Sequence, residues 1–348
     1  MEQEYKYMVC TRCFTFNHAP YIVDAMNGFT MQETSFPVVT VIVDDASTDG
    51  EQDTIRKYLS EHFHEPYRTE ETDYAHIVRA NHRTNPNCQF VVLFLKYNHY
   101  SKQKAKFPYI AEWLDNAKYH ALCEGDDYWI DPHKLQMQVE FLENNPSFII
   151  CFHNFYVKDE RINQNAKLDE YYKNSPFTEQ YGVKGFVFGK EDYWNYWNCW
   201  YTQPLAMVMR NGDFYKNIPK SKYKYYRDHV EYYYVLCQGK GMLLQEIMGV
   251  YRMNNGGIYA GKTNYYNKLV LFDNLRTMYL LEKDKTILPA LFRNTIDVIK
   301  FAADEFKIIQ IINVCIKYYI IVPWSEKIRF TYQLLWEIYI NIKRKIRL

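Results

Sequence analysis

No stretch of the 348 residues offers the roughly 20 consecutive apolar side chains that a membrane-spanning helix needs. The nearest approach, Ile308 to Val322, is shorter and is broken by Gln310, Asn313 and Lys317. Met1 to Lys6 is polar and acidic, without the basic flank and apolar stretch of a secretory leader, so the sequence predicts a cytoplasmic protein, free or peripheral at the inner face of the plasma membrane. A cysteine framework is missing too: the 8 cysteines follow no regular spacing and read as reduced thiols. Cys10 and Cys13 form one CxxC, but inside a strand-like apolar run, where residues three apart face opposite sides, and no second pair completes a zinc site. Charge of one sign is absent as well. Lys+Arg 42 against Asp+Glu 41 leaves a net charge of +1, which excludes a global footprint for nucleic acid. Internal repeats and low-complexity tracts are lacking.

What is abundant is aromatic: 18% of the residues, with Tyr 34. Such rings stack on sugars, sit at membrane interfaces and fill cores, so their number alone assigns no site. The length suits one large α/β domain with a smaller appended one.

Met8 to Phe14 reads as a buried strand ending in the polar Thr15-Phe16-Asn17. Pro20 suits a first helical turn, and Ile22, Ala25, Met26 and Phe29 recur at helical spacing. Val38 to Val43 is a β-branched run, as in a parallel strand covered on both faces. It ends in Asp44-Asp45-Ala46-Ser47-Thr48-Asp49-Gly50, ahead of a helix with Ile55, Tyr58 and Leu59 inward. Further strands are predicted at Phe90 to Leu95 and Tyr119 to Cys123, the latter stopping at Glu124-Gly125-Asp126-Asp127. Alternating strands and helices imply a mostly parallel open sheet, whose ligands bind outside the carboxyl ends of its strands, where both acidic clusters fall.

After Asp131-Pro132, read as a cap and a first-turn proline, Leu135, Val139 and Leu142 mark a helix that ends near Asn144-Asn145-Pro146. The less regular, Tyr- and Trp-rich stretch to about Gly261 reads as the acceptor-facing half, with a linker-like Asn254 to Gly261 at its end. Beyond it the sequence turns helical, and Ile328, Tyr332, Leu335, Trp336, Tyr339, Ile342 and Ile346 trace one apolar stripe.

Asp44 to Gly50 reads either as a capped turn, whose residues favour local hydrogen bonding, or as carboxylates that accept from a base imide or a ribose hydroxyl. In the second cluster, three carboxylates within four residues repel one another unless a cation or solvent neutralises them. A diphosphate leaving group needs the same cation, a hard metal held by one or two carboxylates plus phosphate oxygens. Gly125 between them would admit a close backbone approach to the diphosphate. An exposed acidic turn is the plainer alternative.

These segments resemble the family 2 glycosyltransferases. Asp44-Asp45-Ala46-Ser47-Thr48-Asp49-Gly50 is similar to their DDxSxDG signature, and Thr15-Phe16-Asn17 with Tyr21-Ile22 to their TYN…YI segment. Glu124-Gly125-Asp126-Asp127-Tyr128-Trp129-Ile130-Asp131-Pro132 with Lys134-Leu135 is similar to the EGDDYW-x-DP-x-KL form of their DxD region. The resemblance covers roughly residues 5 to 260; the tail from Gly261 matches no motif. It implies an α/β GT-A fold over 1–260, a nucleotide-sugar donor, Mn2+ or Mg2+, and inversion at the anomeric carbon, to which the helical pattern beyond adds a C-terminal region over 261–348. By position Thr15, Asn17, Asp44, Asp45, Glu124 and Asp127 would serve the donor, with Asp45 at a uracil, and Asp126 the metal. The first acidic position is Glu rather than Asp, and its longer stem sets Glu124 farther from a metal.

An inverting transfer needs one general base near the acceptor hydroxyl. Tyr226-Arg227-Asp228-His229 is similar to the family's (E/T)D segment, which makes Asp228 that base; read alone, Asp228 is equally a helix N-cap, and Arg227 stands where the family has an acid. Val250-Tyr251-Arg252-Met253-Asn254-Asn255-Gly256-Gly257 looks like the family's YR-x-H-x-GG segment with Asn254 in place of the histidine, which leaves Arg252 as phosphate partner or turn arginine. Trp194, Trp197, Trp200 and Tyr201 read as an acceptor platform or as core, and Lys102, Lys104 and Lys106 as solvated lysines or donor-phosphate contacts. From Pro323 six basic side chains face two acidic ones on an amphipathic pattern, which suits an anionic leaflet and a lipid-linked acceptor, or a helix docked on the catalytic domain. The expected function is transfer of a sugar, from a UDP-sugar by preference, to a saccharide or lipid-linked oligosaccharide in surface polysaccharide synthesis. The alternative is a nucleotide-sugar-binding module without turnover. A nucleotidyltransferase would want a glycine-rich basic loop after the first strand, and Thr15 to Tyr21 has neither glycine nor lysine.

Overall fold

The computed structural model describes residues 4–161, 166–173, 177–193, 203–256, 262–304 and 307–346, with side chains of the last helix as far as Glu337. Trp194, Trp197, Trp200 and Tyr201, and residues 257–261 of the linker-like stretch, lie outside the described residues.

In chain order the elements are β1 (Tyr7–Thr15), α1 (Ile22–Thr30), β2 (Val38–Asp44), α2 (Glu51–His62), β3 (Arg68–Glu71), β4 (Ala75–Asn81), β5 (Cys88–Leu95), α3 (Phe107–Asp115), β6 (Ala117–Leu122), β7 (Tyr128–Trp129), α4 (Lys134–Asn144), β8 (Phe148–Asp159), β9 (Asp169–Glu170), β10 (Thr178–Gln180), β11 (Val183–Phe188), α5 (Lys190–Tyr193), β12 (Val208–Arg210), α6 (Asp213–Lys216), α7 (Asp228–Leu236), β13 (Lys240–Met253), α8 (Asn264–Glu282), α9 (Leu288–Asp304), α10 (Ile308–Ile321) and α11 (Trp324–Ile346). They divide into two compact units, one of residues 1–189, 200–217 and 234–255, the other of 190–199, 218–233 and 256–348.

The first unit is built on a sheet of strand order β10-β11-β13-β8-β12-β6-β1-β2-β5-β4-β3. Its apolar runs explain its centre. β2 is buried at every position and β1 at nearly every one, so both must be covered on both faces; β6, β1, β2 and β5 run parallel. Register sets Thr15 opposite Asp44 and Asp44 opposite Phe94, which brings three strand ends to one edge. α1 packs on β7 through Gly28, where a Cβ would stand 2.8 Å from the backbone nitrogen of Trp129. The Trp129 indole is buried and donates to the carbonyl of Leu205 at 2.8 Å.

Expected and observed starts differ at two helices. α1 runs from Ile22, and the Ile22 N–H already bonds the His18 carbonyl at 2.9 Å in the helical pattern, so Pro20 lies in the turn that leads into it. α4 opens at Lys134, two residues beyond Pro132, with Asp131 accepting from the N–H of His133 at 2.8 Å. Lys134 is fully buried, its Nζ 4.1 Å above the Trp129 ring with no hydrogen-bond partner among the described residues, and burial pushes its pKa down to about 7.

Cys10, Cys13, Cys88, Cys123 and Cys151 are free and buried. Burial pushes the thiols of Cys10, Cys88 and Cys151 up to about 12, and those of Cys13 and Cys123 well above their usual value.

The second unit is helical. α8 packs on α9 and α9 on α10, around Phe272, Leu275, Leu291, Val298, Val314 and Tyr318. Tyr318 and Phe330 bring α10 and α11 together, with ring centroids 4.6 Å apart. Among the described residues, no helix is long and apolar enough to cross a membrane.

Candidate active site

The site grows from the carboxyl ends of β1, β2 and β6. Asp44 closes β2 with a buried carboxyl group that accepts from the Ser47 N–H at 3.3 Å and from Gln52 Nε2 at 2.5 Å. These donors only partly offset desolvation, and burial raises its pKa to about 6. Asp45 is buried too, but its carboxylate is held by the N–H groups of His99 at 2.6 Å and Tyr100 at 3.0 Å and by Lys106 Nζ at 2.9 Å. Asp45 thus ties the segment after β5 to the end of β2. Lys106 of the basic run is an ion-pair partner within the site rather than a solvated lysine.

Asn17 has a φ of 57°, a left-handed conformation that asparagine tolerates. Its N–H donates to Ser47 Oγ at 2.8 Å and its Oδ1 accepts from the Thr48 N–H at 2.8 Å, which clamps the two loops together. Thr15 is buried, and its hydroxyl donates to Glu51 and contacts His18 Nδ1 at 3.1 Å. Glu51 in turn accepts from the His18 N–H and from Ser47 Oγ, each at 2.8 Å.

Glu124 to Asp127 crosses the end of β6. The N–H of Gly125 donates to the carbonyl of Phe14 at 3.2 Å, and a Cβ on Gly125 would lie 2.1 Å from Thr15 Oγ1. This glycine therefore seats the acidic turn against β1. Glu124 is exposed. Asp126 Oδ2 accepts from Asn254 Nδ2 at 2.8 Å and stands 3.8 Å from His18 Nε2. Asp127 is buried and accepts from the Arg252 N–H at 2.8 Å; burial, then the charge of Asp126, holds its carboxyl well above the usual range.

Arg252 lies at the end of β13, whose register shifts near Ile247 mark an irregular strand. Its buried guanidinium donates to the carbonyl of Asp126 and to Asp24 Oδ2, each at 2.7 Å, and sits between the rings of Tyr21 and Tyr128 at 4.7 and 4.8 Å. Glu160 approaches its Nε to 3.4 Å, without hydrogen-bond geometry. The arginine braces the acidic turn from behind.

Asp228 belongs to the second unit. It opens α7 with an exposed carboxylate that accepts from the N–H of His229 at 2.8 Å, a bond to the next residue rather than to the second or third N–H of the helix, as an N-cap would make. His229 Nε2 lies 3.0 Å from Asn274 Nδ2.

Eight of the expected donor and metal residues, Thr15, Asn17, Asp44, Asp45, Glu124, Asp126, Asp127 and Arg252, therefore meet on one unit. His18, Glu51, His99 and Asn254 join them, and sequence reasoning gave none of these a role in the site; Lys106, read as solvated or as a donor-phosphate contact, joins through its ion pair with Asp45. Only the position of His18, three residues after Thr15, hinted at its contact. Among the described residues, no group of three or more His, Cys, Asp or Glu side chains is gathered to hold a metal ion. The acidic turn suits a cation nonetheless: Asp126 and Glu124 both raise the pKa of Asp127, and a positive charge between them relieves that repulsion.

No protein-family model matches the chain. Uncharacterized proteins of Mycobacterium bovis and Mycobacterium tuberculosis are 27% identical over 249 residues, covering 70% of this chain and 58% of theirs, so it spans well under two thirds of their length. Among solved structures, the mannosyltransferase PcManGT from Pyrobaculum calidifontis, in complex with GDP-Man and Mn2+, is similar with a TM-score of 0.50 and 12% identity over 97% of this chain and 81% of that one. S. aureus TarS 1-349, in complex with UDP, reaches a TM-score of 0.44 with 12% identity over 86% of this chain and 72% of that one. The α/β GT-A fold with a helical C-terminal region is the fold of this chain.

Proposed function

We propose that the chain is a metal-dependent inverting glycosyltransferase that moves a sugar from a nucleoside-diphosphate sugar, a UDP-sugar by preference, to a hydroxyl of a saccharide or lipid-linked acceptor in surface polysaccharide synthesis. One observation carries the reading: two acidic segments from separate strands lie at the carboxyl edge of a parallel sheet, where Thr15 and His18 bond Glu51 at the end of one segment and His18 Nε2 stands 3.8 Å from Asp126 of the other. Ligands of open α/β sheets bind at that edge. The GDP-Man named with PcManGT supports a nucleotide-sugar donor here.

In this reading Asp44 and Asp45 face the base and ribose, and Asn17 keeps their loop in register. Asp126, with Glu124 beside it, holds Mn2+ or Mg2+, which when bound offsets the charge that grows on the diphosphate leaving group. Asn254 orients the Asp126 carboxylate, while Asp127 and Arg252 fix the turn that presents it. Asp228 takes the proton from the acceptor hydroxyl as that oxygen attacks the anomeric carbon opposite the leaving diphosphate.

The test is a donor screen that follows free nucleoside diphosphate from UDP-, GDP- and dTDP-sugars with manganese or magnesium, for wild type and Asp126→Ala, with saccharide and lipid-linked acceptors. Metal-dependent release from one donor, lost in the variant, supports the transferase. Binding of a donor without release supports the binding module instead, and an unchanged Asp126→Ala variant rules out the metal role.

A further inference from the structure

Helix α10 has two surfaces. Val314 and Tyr318 are buried, and Tyr318 meets Phe292 of α9 and Phe330 of α11. On the exposed side Ile308, Ile312, Ile316 and Ile320 recur every four residues with Ile309 beside them, a sector about 120° wide at 3.6 residues per turn. Gln310, Asn313 and Lys317 occupy the adjoining sector. Ile308 is 67% exposed, Ile309 72% and Ile320 74%, and Trp324, which opens α11 just past Pro323, is 75% exposed. One exposed isoleucine needs no explanation, whereas a stripe of five beside an exposed indole marks a surface built to be covered.

The chemistry of the cover follows from charge and shape. α10 contains no acidic residue. On α11 the acids are Glu326, 3.8 Å from Arg329, and Glu337, which pairs with Lys300 at 3.0 Å. The same helix carries Lys327, Lys343, Arg344 and Lys345 in its sequence. Lys317 of α10 stands 3.5 Å from Asp273, and by sequence α10 and α11 carry six basic residues against two acidic ones, both of the latter already matched. Along the stripe opens a cleft of about 340 Å³ lined mainly by apolar side chains, Ile299, Ala303, Ile311, Cys315 and Leu334 among them. An aliphatic stripe, an indole at its end, a basic flank and an apolar cleft together match the boundary between headgroups and acyl chains of an anionic bilayer.

We propose that α10 and the first turns of α11 form a membrane-docking surface that lies in the plane of an anionic lipid leaflet. The isoleucine stripe enters the acyl boundary, Trp324 sits at headgroup level and the cleft receives acyl-chain carbons. At 14 residues α10 lies on the bilayer and does not cross it. The proposal is independent of sugar transfer, since lipid binding requires neither donor nor acceptor.

Flotation of the full chain with vesicles of equimolar phosphatidylglycerol and phosphatidylcholine tests it against vesicles of phosphatidylcholine alone. The chain is expected to float with the anionic vesicles, less with the neutral ones, and progressively less as salt is raised. Ile312→Glu with Ile316→Glu places two charges on the stripe and is expected to weaken binding at least ~10-fold. Both sites are about half exposed, so circular dichroism should match wild type. If that double variant misfolds, Ile320→Gln takes its place under the same criterion. Absence of flotation with anionic vesicles, or flotation of the folded variant equal to wild type, overturns the proposal. A dimer in sedimentation that the same substitutions dissociate, without vesicle binding, assigns the face to a second copy and overturns it too.

Discussion

Asn254 Nδ2 donates to Oδ2 of Asp126 at 2.8 Å, so the residue that follows β13 reaches the central carboxylate of the acidic turn. A hydrogen bond to a charged group at this depth contributes about 1.5 to 3 kcal/mol. Asn254→Leu is expected to destabilise the fold by about 1.5 to 3 kcal/mol and to lower kcat/KM for the donor about 10- to 100-fold, while Asn254→His, which restores a ring N–H at similar reach, retains most activity. Steady-state kinetics with manganese check both, and full activity in Asn254→Leu would remove the orienting role.

Gly125 and Thr15 are expected to be coupled. A Cβ at position 125 would come within 2.1 Å of Thr15 Oγ1 and 2.6 Å of its Cβ. Gly125→Ala should cost about 2 to 4 kcal/mol in urea unfolding, and Thr15→Gly in the same chain should recover at least about 1 kcal/mol of that. Additive single effects would place the clash elsewhere.

Breaking the brace behind the turn should be felt in stability first. Arg252→Met leaves Glu160, 7% exposed, without the guanidinium beside it, although Lys158 still pairs with it. A loss of about 3 kcal/mol is expected, read as a lower urea midpoint at an unchanged slope. A loss of donor affinity at wild-type stability would instead put the guanidinium on phosphate.

Asp44 sets a pH dependence of unusual sign for a carboxylate. Its folded pKa, about 6, lies above its unfolded value of about 3.9, so between these limits the native state keeps a proton that the unfolded chain has released. Its contribution is therefore greatest below pH ~4, falls as pH rises to about 6 and is flat above. Asp44→Asn is expected to stabilise the protein by up to about 2 kcal/mol near pH 7.5 and by much less near pH 4, while weakening donor binding. Equal gains at both pH values would contradict the burial argument.

Lys134 gives a second window. Its folded pKa, about 7, lies below the unfolded value of about 10.4, so stability should rise with pH across that interval as the unfolded chain holds the extra proton. Lys134→Met should stabilise by about 3 kcal/mol near pH 7 and by little near pH 10. Urea midpoints at the two pH values measure the difference, and a destabilised variant at pH 7 would mean that the contact with Trp129 outweighs desolvation.

The legible and illegible parts of this chain differ by physical cause. β2 and β5 are read from sequence because long apolar runs suit strands buried on both faces, and β1 and β6 from shorter apolar stretches; the carboxylates that end β2 and follow β6 fall at the open edge by the same logic. β3 escapes because Arg68–Glu71 is charged and mostly exposed, with no alternation to betray it. The ties between Asp45 and His99, Tyr100 and Lys106 are illegible for another reason: they depend on where β5 delivers the chain, not on any local period. Arg252 reads in sequence as a phosphate partner or a turn arginine, and only the fold shows Asp24 and the Asp126 carbonyl as its partners. Gly125 reads as room for a ligand, whereas the fold fills that room with Thr15.

The five buried thiols turn the central sheet into a counter of its own opening. Cys10, Cys13, Cys88, Cys123 and Cys151 lie on or beside β1, β5, β6 and β8, shielded from reagent and held protonated by burial. An alkylating agent added to the folded chain reaches the exposed Cys237 at once and those five only when the strands part. Intact mass against time then resolves first fast and later slow adducts, so the rate of sheet opening can be read by mass spectrometry alone, without denaturant or an engineered label, for each variant above.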